Sequence, residues 1–524
     1  MKSVVLAILF TIPVVLFGKG RPCESLTNLK LPNTTIKIAE SRPAGEFTPP
    51  GARPITNLPE FCRVAGSIKP SSDSDIAFEV WLPSNWNAKF QGIGNGGYAG
   101  AIGYAGLADA VRNGYATAST DTGHQDRGTS AQWALNHPEK IIDFGYRAIH
   151  ETAVTAKAVI QAYYDDAPKR SYFNSCSNGG RQALMEAQRF PADYDGIIAG
   201  APANYWTHLL SYAASGVKAT LAEPTSYIPA AKLPAIEAAA LAQCDLKDGV
   251  KDGVVENPMA CRFDPSVLKC NGEDLNSCLT VHQLTALKAI YGGLTNRKGK
   301  LLFPGLSPGG EAEEGGWSSW VTGDAPEKSS MFSYGTQFFM NMVYSDPNWQ
   351  FRSFDPDRDV KAADERMARY LNSTNPDLSA FYKRGGKLIL YHGWADAAIP
   401  AVNAINYYDS VVSKMGAKNA NEFTRLYMVP GMEHCAGGAG PNAFGQNATP
   451  NGDRLHSIDA ALEAWVEQGT APDQLIATKY KTGADPKSGV VRTRPLCVWP
   501  QVAVYKGSGS ADDAANFTCG KGPQ

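Results

Sequence analysis

Ser177 stands in the run Ser175-Cys176-Ser177-Asn178-Gly179-Gly180, where an aromatic, strand-like stretch passes directly into a helical pattern. A tight strand-to-helix turn thrusts a hydroxyl out of a sheet and places the next backbone N–H near a reacting carbonyl. The usual pattern is Gly-x-Ser-x-Gly; here Ser175 stands at the first glycine and Gly179 keeps the last. Serine is small enough for the turn to close. An ordinary strand–helix turn would leave the same trace, so the motif needs partners. Serine is a poor nucleophile at its own pKa and requires a base, which requires an orienting group. Asp396 follows the apolar run 388–391 and His434 follows the apolar run 426–429. Ser, then Asp, then His is the α/β-hydrolase order, and the carboxyl ends of strands are where open α/β sheets place their sites. Taken singly, Asp396 reads equally as a solvated turn residue and His434 as a surface histidine. Cys176 precedes the serine and Cys435 follows the histidine. If Ser177 and His434 touch, these neighbours are close enough to be bridged; otherwise they are two unrelated structural cysteines.

The elements that must position these residues follow a strand–helix rhythm. Strand patterns cover 76–82, 90–94, 114–121, 171–176 and 194–202, and a helical pattern covers 144–164. His150 on that helix reads as structural. Gly94-Asn95-Gly96-Gly97 is a glycine loop whose bare backbone can approach a ligand closely, or a flexible turn. The stretch 23–62, rich in proline, reads as a loop-like N-terminal arm. From 204 to about 383 the rhythm breaks into short helices, loops and clustered aromatics. The rhythm returns at 386–396, with helices expected at 403–415 and 457–468 and a strand at 423–429. These patterns point to a mostly parallel α/β sheet. The expected organisation is a leader at 1–20, core at 21–203, an inserted lid at 204–383 and the rest of the core at 384–524.

With 524 residues, 43% hydrophobic and 19% charged, the chain is an ordinary globular protein too long for one simple core. Its net charge of −2 and lack of basic runs give no reason to expect nucleic acid or an anionic membrane as partner. Lys2 and the apolar stretch 4–17 read as a secretory signal peptide, with a retained anchor as the alternative. Ten cysteines in an exported chain make disulfides the default, and the expected location is extracellular or periplasmic. Asp245-Leu246-Lys247-Asp248-Gly249-Val250-Lys251-Asp252-Gly253-Val254 places three carboxylates among glycines. Hard oxygen donors on a tight loop suit Ca²⁺, although the spacing is not that of an EF-hand; an acidic turn is the other reading.

With these motifs together, the chain resembles the tannase and feruloyl esterase family of α/β-hydrolases. Cys176-Ser177, Asp396 and His434-Cys435 match its signature, as do Gly94-Asn95-Gly96-Gly97, Ser119-Thr120-Asp121-Thr122-Gly123-His124 and Gly179-Gly180-Arg181. Ser175 departs from it, where the family often has Gly. The resemblance implies an α/β-hydrolase fold with a large inserted lid and an oxyanion hole from the N–H groups of Gly97 and Asn178. It implies the pairs Cys23–Cys62, Cys176–Cys435, Cys244–Cys261, Cys270–Cys278 and Cys497–Cys519. It also implies a structural Ca²⁺ held in the lid by Asp245, Asp248 and Asp252 and the carbonyls of Val250 and Val254. The implied activity is that of a secreted serine esterase with catalytic Ser177, His434 and Asp396, acting on feruloyl and other hydroxycinnamoyl esters, free or polysaccharide-linked, or on gallate esters as a tannase. A non-catalytic binding module on a hydrolase fold and a secreted serine peptidase are the rival classes. Of the aromatics Trp317, Trp320, Phe332, Tyr334, Phe338, Phe339, Tyr344 and Trp349, one or two are expected to reach the substrate and the rest to fill the lid core.

Overall fold

A computed structural model of the chain describes residues 21–126, 128–446 and 453–522. The leader expected at 1–20 lies outside them.

Nine strands form the main sheet: β1 (Thr34–Arg42), β2 (Phe61–Ile68), β3 (Ile76–Pro83), β4 (Lys89–Ile93), β5 (Ala116–Thr120), β6 (Arg170–Cys176), β7 (Gly196–Gly200), β8 (Lys387–Gly393) and β9 (Thr424–Val429). Their spatial order is β1-β2-β3-β5-β4-β6-β7-β8-β9. The first three strands pair antiparallel with one another and β3 with β5; every pair from β5 to β9 is parallel. The parallel strands are short and apolar because helices cover both faces. The helices α1 (Ala148–Tyr164), α2 (Asn178–Arg189) and α6 (Val402–Met415) pack residues such as Val159, Leu184 and Ile405 on one face. The helix α7 (Ile458–Gln468) buries Ile458, Leu462 and Trp465 on the other, against Tyr172, Ile198 and Tyr427. Ser457 caps α7, its hydroxyl accepting from Ala460 N, which satisfies one of the helix's free amides. This mixed sheet flanked by helices is the α/β-hydrolase fold.

The N-terminal arm is a correction. Within 23–62 the segment Thr34–Arg42 is the edge strand, paired with β2 from Thr34↔Ile68 to Arg42↔Phe61. Its Thr-Thr-Ile-Lys-Ile run is β-branched and alternating, as an edge strand should be. The prolines that suggested a loop flank the strand: Pro32 precedes it, and Pro43, Pro49, Pro50, Pro54 and Pro59 follow it.

Residues 204–383 contribute no strand to this sheet among the described residues. They carry α3 (Trp206–Thr220), α4 (Ser330–Gln337) and α5 (Pro356–Leu371). Trp206, Leu210, Trp317, Phe338 and Phe339 join in a core that also takes in Tyr98, Phe144 and Ile399 from outside the insertion. Because the insertion leaves the sheet after β7 and re-enters at β8, its first helix starts beyond the end of β7, next to the end of β6. No described helix is long and apolar enough to cross a membrane.

Candidate active site

The turn at Ser177 is built to hold an unfavourable backbone. Ser177 has φ 69° and ψ −126°, a conformation costing a non-glycine residue of order 1–3 kcal/mol. Hydrogen bonds fix it: Ser177 N donates to Gly200 O (2.9 Å), and Ser177 O accepts from Arg181 N (3.1 Å) and Ala203 N (3.1 Å). A Cβ at Gly180 would collide with Gly200 O, so α2 can lie this close to β7 only with glycine there. The departure at Ser175 has a local explanation. A Cβ at Gly179 or at Gly94 would run into the Ser175 side chain, so these two glycines make room for the extra hydroxymethyl group.

Three chain segments meet at the serine. His434 Nε2 lies 2.9 Å from Ser177 Oγ, and His434 Nδ1 lies 2.8 Å from Asp396 Oδ2. Asp396 is 2% exposed, and its Oδ1 accepts from Ala398 N (2.8 Å) and Ile399 N (2.9 Å). Burial alone would raise the Asp396 carboxyl. The charge and hydrogen bonds of His434 and His392 outweigh it and hold the group well below the usual carboxylate range. His392 was not singled out by the sequence. Its Nε2 lies 3.2 Å from Asp396 Oδ2 and 3.0 Å from Ile399 O. It lies in β8, four residues before Asp396, so proximity in sequence was its only signal. A hydroxyl, an imidazole and an ionised carboxylate in series can pass the serine proton to His434 while Asp396 fixes the ring.

Cys176 and Cys435 are bonded, with Cα atoms 6.0 Å apart. The bridge ties the end of β6 to the loop carrying His434. The other four pairs also form as the resemblance implied: Cys23–Cys62, Cys244–Cys261, Cys270–Cys278 and Cys497–Cys519.

Gly97 and Asn178 line the same cleft as Ser177. Asn178 is the first residue of α2 and so has no intrahelical acceptor for its N–H. Gly97 has φ +53°, and a Cβ there would strike Gly128 O and the Tyr334 hydroxyl. The loop holding it is pinned at both ends. Asn95 N donates to Gln182 Oε1 on α2 (2.9 Å), and Tyr98 N donates to Gly128 O (2.8 Å). His124 adds a third tie, with Nε2 2.8 Å from Tyr98 O and its ring stacked 3.7 Å from that of Trp133. Burial pushes His124 down to about 4, so at neutral pH the ring is uncharged and donates Nε2–H to that carbonyl. Arg181, fully buried, donates to Asn178 Oδ1 (2.8 Å) and to the carbonyls of Gly145 (2.8 Å) and Phe144 (2.9 Å), bracing the first turn of α2.

The cleft is open to solvent, with about 530 Å³ of space counting its mouth. Leu209, Leu210 and Ala213 of α3, Met331 of α4 and Ile399 give it apolar walls, with Trp206, Trp320 and Tyr334 as aromatic ones. Trp320 meets His434 edge-on at 5.0 Å between ring centroids. Of the eight aromatics, one or two of which were expected at the site, Trp320 and Tyr334 line it, whereas Trp317, Phe338, Phe339 and Trp349 are core. The α3 wall was missed. Its apolar residues read as ordinary helix core, and only the topology puts them over the serine.

The family described as tannase and feruloyl esterase matches residues 62–520. The chain belongs to this family. Like other tannase and feruloyl esterase family members it is a carboxylic ester hydrolase. It is 46% identical over 528 residues to an uncharacterized esterase of Xanthomonas campestris pv. campestris, covering 96% of this chain and 92% of that one. Feruloyl esterase B from Aspergillus oryzae superposes with a TM-score of 0.87 at 31% identity, over 95% of this chain and 99% of that one. The tannin acyl hydrolase of Aspergillus niger superposes with a TM-score of 0.73 at 25% identity, over 96% and 94%.

A second polar centre of the esterase lies in the 245–254 loop. Asp245 accepts from the amides of Asp252 and Gly253 (3.1 Å each), Asp248 from Val250 N (2.9 Å) and Asp252 from Val254 N (3.1 Å). Gly249 and Gly253 take φ of +89° and +77°, which lets the loop turn sharply between its acids. Asp252 also pairs with Arg492 (3.1 Å) and with Arg494. Burial pushes Asp248 up to about 6, with Asp252 and Asp245 adding repulsion, and pushes the neighbouring Glu256 up to about 8. Three carboxylates thus meet on one tight turn beside two arginines, a set of oxygen donors that suits a hard divalent cation.

Proposed function

We propose that this esterase hydrolyses esters of hydroxycinnamic acids outside the cytoplasm, through an acyl-enzyme on Ser177. The series Ser177–His434–Asp396 at 2.9 and 2.8 Å carries this reading. His434 Nε2 takes the Ser177 proton as Oγ attacks the acyl carbon. The oxyanion is received by the N–H groups of Gly97 and Asn178. His434 then returns the proton to the departing alcohol, and a water activated by the same ring releases the acid.

The cleft favours a lightly hydroxylated aromatic acid over gallate. The Tyr212 hydroxyl already donates to Ile290 O (2.9 Å) and that of Tyr334 to Gly128 O (3.2 Å). The three ring hydroxyls of a gallate would leave water for apolar walls, at a cost of about 1–3 kcal/mol for each left unpaired. A ring bearing one hydroxyl and one methoxyl loses less. Methyl ferulate, caffeate, p-coumarate and gallate assayed in parallel test this. kcat/KM for methyl ferulate should exceed that for methyl gallate by at least about tenfold. The opposite order would make the enzyme a tannase.

Ca²⁺ is proposed at Asp245, Asp248 and Asp252 with the Val250 and Val254 carbonyls. It would offset the repulsion among these carboxylates and pin the loop against Arg492 and Arg494, without entering the ester chemistry. Chelation with EGTA should lower Tm by roughly 3–8 °C and restoring Ca²⁺ should recover it. An unchanged melt would remove the ion from this loop. Export is supported by five disulfides with no free cysteine, a pattern that persists in oxidising compartments.

A further inference from the structure

Away from the cleft, three donor side chains converge where α1 and the end of α2 meet the turn into β7. His150 stands in the first turn of α1, Glu186 near the end of α2 and Asp193 in the connection to β7. Among the described residues this is the one trio of His, Cys, Asp or Glu side chains whose ligating atoms all lie within 4.8 Å of one another. The 245–254 loop differs in depending on backbone carbonyls between its carboxylates. His150 Nδ1 is 2.6 Å from Asp193 Oδ2. Glu186 is 1% exposed, and neither of its carboxyl oxygens has a hydrogen-bond partner among the described residues. A buried carboxyl without a partner is costly, so this one calls for a proton or a cation.

The frame around the trio is already fixed. Phe190 N donates to Glu186 O (2.9 Å) and Asp193 N to Phe190 O (2.9 Å). The His150 ring stacks on Phe190 with centroids 3.8 Å apart. Lys157, from the same face of α1, donates to Asp193 O. The His150 side chain is 29% exposed, so an ion has a path in from solvent.

We propose that His150, Glu186 and Asp193 bind a divalent transition metal of the zinc type, with water in the fourth position. One imidazole with two carboxylates suits zinc, whereas calcium takes six or more oxygens. The ion would displace any proton that Glu186 carries and part His150 from Asp193 by a small side-chain movement. Glu186 lies nine residues beyond Ser177 along α2, about 13 Å at the helical rise. The metal would therefore staple α1 to the α2–β7 turn and take no part in ester hydrolysis. The alternative is a carboxyl pair that shares a proton and binds nothing.

The test is a calorimetric titration of untagged enzyme with ZnCl₂, in excess Ca²⁺ to occupy the acidic loop. One Zn²⁺ should bind per chain and raise Tm. His150→Ala and Glu186→Gln should each weaken binding by at least about tenfold while turnover of methyl ferulate is unchanged. Crystals soaked in Zn²⁺ should show anomalous scattering between the three side chains, a readout that needs no variant. Absence of stoichiometric binding, equal binding by both variants, or an anomalous peak elsewhere would each overturn the assignment.

Discussion

Ser177→Ala should reduce turnover of every ester substrate by about 10⁴-fold or more, since loss of the nucleophile leaves only what binding and the oxyanion donors supply. The fold should survive. Alanine meets the same backbone strain at φ 69° as serine does, and the bonds that hold the turn, from Ser177 N to Gly200 O and from Arg181 N and Ala203 N to Ser177 O, are all main-chain. Circular dichroism and Tm close to wild type, with hydrolysis of methyl ferulate at the uncatalysed level, is the expected result. Near-normal turnover would remove Ser177 from the mechanism.

Asp396→Asn should be almost as damaging, about 10⁴-fold in kcat, for a different reason. An asparagine Oδ1 can still accept from Ala398 N and Ile399 N, so the turn should keep its shape. The amide nitrogen then faces His434 Nδ1 and donates to it, which forces the ring proton onto Nε2. That nitrogen can no longer take the Ser177 proton. The same substitution should alter acid stability in a defined direction. The Asp396 carboxyl is held below its ordinary range in the folded chain, so its ionised form stabilises the fold at neutral pH. That contribution fades as the pH falls below about 4. Wild type should thus exceed Asp396→Asn in Tm most at neutral pH and lose that lead in acid. A lead that grows on acidification would contradict the His434 and His392 contacts as its source.

The residues proposed as catalytic were legible because each sits where a strand ends, and strand ends are marked locally by an apolar run closing in small or polar residues. Cys176 and Cys435 flank two of them, which picks His434 out of the eight histidines. Features that depend on long-range packing were not legible. The edge strand Thr34–Arg42 is half exposed and lies beside prolines, so its weak alternation was outweighed. The α3 wall of the cleft and His392 carry ordinary core and turn signatures. Their roles come from the insertion folding back over β7 and from β8 pairing between β7 and β9. The reason Ser175 is tolerated was likewise hidden, because Gly94 and Gly179 meet it from two different elements.

The Cys176–Cys435 bridge closes a ring of chain with a sequence separation of 259 residues, and that ring contains the whole insertion. A protease cut at one of the insertion's exposed turns, such as the one around Gly299, would open the ring without releasing a fragment. The two pieces would stay joined beside the nucleophile, with Ser177 on one and Asp396 and His434 on the other. A nicked enzyme would then run as one species without reductant and as two with it. Its catalytic parts would remain at intramolecular concentration after the backbone between them was broken.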